Sequence, residues 1–107
     1  MKNANLLKGI LVAVAMLASS VCFAQSAGQA TYNAKCKSCH GADGAADSSV
    51  AKMMKVKPVS DPEIKKLTAA QMFTGVKDGK GKMKPFKDKL TDDEIKGSVA
   101  YYRSLIK

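Results

Sequence analysis

The sequence predicts a small all-α domain, and three observations carry that expectation. No stretch alternates apolar and polar residues, and no β-branched run is long enough to make a strand. Two segments open with the reciprocal pattern of a capping box, Thr68-Ala-Ala-Gln71 and Thr91-Asp-Asp-Glu94. After the second, Ile95, Val99, Tyr102 and Ile106 recur at the spacing of one helix face. Four or five short helices and no sheet are expected, with no repeat and no low-complexity stretch. A chain of 107 residues accommodates one such domain and is too short for a multidomain enzyme.

The first segment, 1–24, has the features of a cleaved secretory signal peptide. Lys2 and Lys8 make a positive start, and 10–18 is an apolar core too short for a comfortable membrane span. Cys22 and Ala24 put small residues at the −3 and −1 positions of a cleavage site after Ala24. The alternative is an uncleaved anchor; lipidation at Cys22 is disfavoured by the bulk of Val21 before it. Cleavage leaves a domain of 83 residues, 25–107. Without Lys2 and Lys8 the 18 basic side chains fall to 16 against 9 acidic ones, a formal +7, and three Cys become two. An even thiol count suits an oxidising compartment such as the bacterial periplasm. A domain this small buries little surface and commonly needs a disulfide, a metal or a cofactor to complete its core.

The first expected helix covers 28–36 and runs into a pair of cysteines. A short second one spans 48–54. Ser60-Asp61-Pro62-Glu63 caps a single turn, because proline suits the first helical position. The Thr68 capping box opens a helix to about Val76, with Asp78-Gly79 as its stop. The Thr91 box, with acidic residues in its first turn, opens a helix that runs to the C-terminus. A loop rich in Gly and Lys occupies 77–90.

Cys36-Lys-Ser-Cys39-His40 is C-x-x-C-H, a covalent haem attachment signature. Two thiols at this spacing add to the two vinyl groups of one haem, and the adjacent imidazole lies where it can bind the iron. His40 is the only histidine in the chain. A thioredoxin-like redox pair needs a βαβ context, which the sequence does not provide. A zinc site needs four ligands, and the mature chain has no third Cys or second His. A plain structural disulfide is the remaining alternative. For a sixth ligand the mature chain offers Met53, Met54, Met72 and Met83. Met72 beside Phe73 and Val76 suits core packing, the commoner role of methionine. Met53 and Met54 follow His40 by only 13 and 14 residues, whereas Met83 follows by 43, in a glycine-rich loop ended by Pro85.

These residues together resemble a class I c-type cytochrome, over essentially all of 28–107. Gly28-x-x-x-Tyr32 is similar to the small-then-aromatic pair of that family's first helix. Cys36-x-x-Cys39-His40-Gly41-x-x-Gly44 is similar to its haem-binding segment, and Gly79-Lys-Gly-Lys-Met83-Lys-Pro85-Phe86 to its distal loop. The segment from Leu90 to Ile95, followed by Val99-Ala-Tyr101-Tyr102-Arg103, is similar to its C-terminal helix. The resemblance implies an all-α fold around one covalent haem c, in which the first and last helices cross. It implies Cys36 and Cys39 as attachment points, His40 as proximal iron ligand and Met83 as distal ligand. It also makes the Pro58 carbonyl a candidate acceptor for the other His40 nitrogen, against the plainer role of a turn proline. Two departures stand out. Lys84 separates Met83 from Pro85, which lie next to each other in the family pattern, and Ser98 takes the place of an apolar residue facing the haem.

Lys77, Lys80, Lys82, Lys84, Lys87 and Lys89 place six ammonium groups within 13 residues, flanking Met83. Such a cluster either keeps a loop soluble or steers an acidic redox partner toward the haem edge. Nucleic acid is not an expected partner for an exported chain; an anionic membrane surface is an alternative target. No general-base or nucleophile constellation accompanies the motif, so neither an enzyme nor a small-molecule substrate is expected. The reading is a soluble, exported, monomeric carrier of one electron on a His/Met-ligated haem c. The alternatives are a haem protein with an open distal site, peroxidase-like or gas-sensing, and a haem subunit of a larger oxidoreductase.

Overall fold

The computed structural model describes residues 27–107, so the expected export segment lies outside the described residues. Six helical segments follow in order: α1 over 27–35, α2 (Lys37–His40), α3 (Ser49–Met53), α4 (Pro62–Lys65), α5 (Ala69–Asp78) and α6 (Asp92–Ser104). No strand forms among the described residues; one isolated bridge joins Lys80 and Met83. The count exceeds the expected one because the first helix breaks at Cys36. The Cys36 carbonyl accepts both the Cys39 N–H at 3.2 Å and the His40 N–H at 3.0 Å. This mixture of three- and four-residue spacing tightens the chain into a separate turn.

Side-chain caps set the starts of α3 to α6. Ser48 Oγ accepts the Ala51 N–H, and Asp61 Oδ1 accepts the Glu63 N–H ahead of Pro62. Both capping boxes close in both directions. Thr68 Oγ1 accepts the Gln71 N–H at 3.1 Å while Gln71 Oε1 accepts the Thr68 N–H at 2.9 Å. Thr91 and Glu94 do the same at 3.2 and 3.0 Å. The Thr91 N–H bond holds the Glu94 carboxyl below its ordinary range. Helix α5 runs two residues past Val76 and ends at Gly79.

Helix α5 packs on α6 around Met72, Leu90, Ile95 and Val99, with Phe73, Phe86, Tyr102 and Ile106 packed against them. The predicted stripe therefore faces the core, although α6 ends at Ser104 instead of running to the C-terminus and Ile106 packs from the segment after it; Met72 takes the expected core position. Arg103 Nη1 donates to the Leu67 carbonyl at 2.8 Å and ties the end of α6 to the segment before α5. Helix α1 meets α6 where two glycines face each other: a Cβ placed on Gly28 would lie 2.3 Å from the Gly97 carbonyl oxygen. One turn on, Tyr32 is buried against Tyr101 and Tyr102, with ring centroids 5.1 and 6.2 Å away. Ser98 is also buried, and its Oγ donates to the Ile95 carbonyl at 2.9 Å. Its polarity is thus satisfied within its own helix.

Candidate functional site

The break between α1 and α2 sets the geometry of the motif. Cys36 occupies the break, and Cys39 and His40 follow on the single turn of α2. Gly41 ends that turn at φ 87° and ψ 158°, a conformation essentially restricted to glycine. The chain therefore leaves sharply just after His40. Three bonds hold this departure in place. The Tyr32 O–H donates to the Gly41 carbonyl at 2.6 Å, and the Ala46 N–H donates to the His40 carbonyl at 3.0 Å. The Val59 N–H donates to the Gly44 carbonyl at 2.9 Å. Ala46 takes a positive φ of 51° to do so, a local strain that the surrounding contacts sustain.

Both thiols are free. Burial pushes the Cys36 thiol up to about 11. A reactive redox cysteine sits instead in a partly exposed, electropositive setting that lowers its pKa. Burial lowers the pKa of His40, so its imidazole is held neutral, the form that ligates metals. His40 Nδ1 is buried without a hydrogen-bond partner, and the ring stands edge-on to Tyr102 at 5.3 Å. The Pro58 carbonyl accepts the Asp61 N–H at 3.0 Å, which is the turn role. Among the described residues no cluster of three His, Cys, Asp or Glu side chains could hold a metal ion, so the zinc alternative lacks ligands. Two unlinked thiols one turn apart, followed at once by a neutral imidazole, are a donor set that fits a covalently attached haem.

Met83 lies on a separate lobe. The chain leaves α5 through Gly79, turns at Gly81 and returns to the same helix. The Lys80 N–H donates to the Met83 carbonyl and the Met83 N–H to the Lys80 carbonyl, each at 3.0 Å. Gly81, at φ 59°, is the first of the two residues between them, a position where a tight hairpin takes glycine. The Phe86 N–H then donates to the Val76 carbonyl and the Lys87 N–H to the Lys77 carbonyl, at 3.0 and 3.2 Å. These bonds satisfy carbonyls that the end of α5 leaves free. Met83 is half-buried. The lobe reaches the cysteine turn indirectly: Lys82 Nζ donates to the Met53 carbonyl at 3.4 Å, and α3 packs on α2. Of the other candidate ligands, Met53 is exposed, Met54 half-buried and Met72 enclosed in the core.

Lys80, Lys82, Lys84, Lys87 and Lys89 are exposed. Lys77 differs, because it pairs with Asp92 at 3.2 Å and its ammonium lies 5.6 Å from the centre of the Phe73 ring. Tyr32 and the glycines at 41 and 79 are site residues whose detailed roles the motif alone does not reveal. The Asp78-Gly79 stop signal was the trace that one of them left in the sequence. No helix among the described residues is long and apolar enough to cross a membrane.

Comparison with known proteins agrees with this geometry. Residues 23–101 match the family model "Cytochrome C oxidase, cbb3-type, subunit III". The solved structure of the KustC0563 c-type cytochrome is similar to this chain with a TM-score of 0.68 and 30% sequence identity, over 75% of this chain and 98% of that one. No curated protein matches. By the span of the family match, together with the shared fold, this chain belongs to the cbb3-type subunit III family of class I c-type cytochromes and is a haem c electron-transfer protein.

Proposed function

We propose that this protein is an exported, soluble carrier of one electron, with a single haem joined to Cys36 and Cys39 and its iron held by His40 and Met83. The observation that carries this reading is the half-buried His40, its Nδ1 enclosed and its pKa lowered by burial, directly after two unlinked cysteines that cap and occupy one helical turn. Bound haem iron supplies a one-electron couple, whose potential is raised by Met/His ligation. The remaining work falls to the chain. Tyr32 and Gly41 fix the exit from the His40 turn, the core around Ile95 excludes water, and the lobe at 79–87 presents a thioether.

Replacement of Met83 by Ala tests the distal ligand. The ferric wild-type protein is expected to show the weak far-red thioether-to-iron band, and Met83→Ala to lose it. The ferrous wild type should resist carbon monoxide, while the variant should take it up. Carbon monoxide binding by untreated wild type would favour an open distal site instead.

The exposed lysines of the lobe suit an acidic partner. Electron transfer to such a partner should slow roughly tenfold between about 10 mM and 150 mM salt, as the Debye length falls from about 30 to about 8 Å. Stopped-flow rates measure this. Charge reversal at Lys84 should slow the reaction more than reversal at Lys77, which Asp92 already neutralises. Insensitivity to salt would leave the lysines a solubilising role only.

The family name favours a second reading, in which the chain works as the haem subunit of a membrane oxidase. Co-purification with larger subunits from native membranes under mild detergent would support it. Recovery of the cytochrome alone in the periplasmic fraction supports the soluble carrier.

A further inference from the structure

We infer that Gly79 is a positioning residue for the Met83 thioether, an inference that rests on the proposal that Met83 binds the iron. Gly79 adopts φ 82° and ψ 159°, a region that side chains other than glycine essentially avoid. The space around it is closed as well. A Cβ there would lie 2.9 Å from the Met83 carbonyl oxygen, 3.0 Å from Pro85 N and 3.1 Å from Pro85 Cδ. The first two are backbone atoms and the third belongs to a rigid ring, so no side-chain rotation relieves the contact.

The consequence falls on Met83 because of how the lobe is tied. The Met83 carbonyl is already held by the Lys80 N–H, one residue from Gly79, and Pro85 leads into the Phe86 and Lys87 bonds on α5. With both ends fixed to the same helix, a push at residue 79 has one outlet, displacement of the segment 82–85. Lys84 between Met83 and Pro85 removes the stiffness that an adjacent proline would give the methionine. The backbone of Gly79, packed against both, supplies it instead. Gly81 lacks this role: it shares a positive φ, but a Cβ there meets nothing within 4 Å.

The test uses the full haem-loaded protein and reads the far-red thioether band, together with carbon monoxide uptake by the ferrous form. In Gly79→Ala the ratio of thioether-bound to unbound ferric iron should fall at least tenfold, and carbon monoxide should bind. Gly81→Ala should show a smaller loss, and Gly75→Ala, in the open on α5, none. The amide circular dichroism of all three should match wild type. A Gly79→Ala protein with an undiminished band that excludes carbon monoxide would overturn the inference. So would global loss of helix in that variant, since it would make Gly79 a folding residue. The ligand reading fails separately, if the band is missing from wild type or persists in Met83→Ala.

Discussion

Replacing Cys36 and Cys39 together by Ser should yield a chain without covalent haem and without most of its helix. The core that protein atoms supply is small. Among the described residues only Tyr32 and Ile95 are large side chains enclosed completely, and the other buried apolar groups include Ala46, Ala51 and Cys36 itself. A domain of this size seldom closes the gap between chain entropy and apolar burial unaided. Loss of the tether should therefore remove a large share of the core along with the cofactor. Intact mass spectrometry of exported wild type is expected to show residues 25–107 plus one haem, and bare polypeptide for the double variant. Circular dichroism of that variant should resemble an unfolded chain. A helical, cooperatively melting apoprotein would show that the polypeptide core suffices.

The second large effect is expected at the crossing of α1 and α6. In Gly28→Ala the new Cβ would stand 2.3 Å from the Gly97 oxygen and 2.7 Å from the Gly97 carbonyl carbon. Both are helix backbone, so the helices must separate and loosen Tyr32 from its two neighbours. Alanine gains up to about 1 kcal/mol in helix propensity. Overpacking against rigid atoms costs about 3 kcal/mol, the upper end of its usual range. The net loss of about 2 kcal/mol lowers the melting temperature by roughly 8–16 °C in a domain of this size. Gly97→Ala, whose Cβ would meet Gly28 Cα at 3.3 Å, should cost less. Gly75→Ala, inside α5 with open space around it, should raise the midpoint through a gain of up to about 1 kcal/mol in helix propensity. Thermal melts of the three variants give the order directly; equal midpoints for Gly28→Ala and wild type would refute the account.

Much of this architecture was legible before any coordinates. Capping is local chemistry, so Thr68 with Gln71 and Thr91 with Glu94 announced two helix starts that the structure reproduces bond for bond. The apolar stripe of α6 and the core place of Met72 followed from periodicity and neighbours. The break at Cys36 was not legible, since Ala34-Lys-Cys-Lys-Ser-Cys39 holds no residue that interrupts a helix. It depends on the bifurcated Cys36 carbonyl and on the pull of Tyr32 on Gly41, nine residues away. Likewise the loop at 77–90 was recognisable as glycine-rich, but its hairpin and its return to α5 are pairings between residues that no local pattern links. The C-x-x-C-H spacing pointed to the chemistry, and the structure adds the burial that lowers the His40 pKa and keeps its imidazole neutral.

The tyrosine cluster at the crossing has a practical consequence for the bench. Tyr32, Tyr101 and Tyr102 are all the tyrosines the chain has, and it has no tryptophan. Intrinsic tyrosine emission thus originates from one spot where the two ends of the domain meet. A rise in that emission accompanies the parting of the terminal helices and of the cluster from the neighbouring porphyrin, whose own state the visible bands follow.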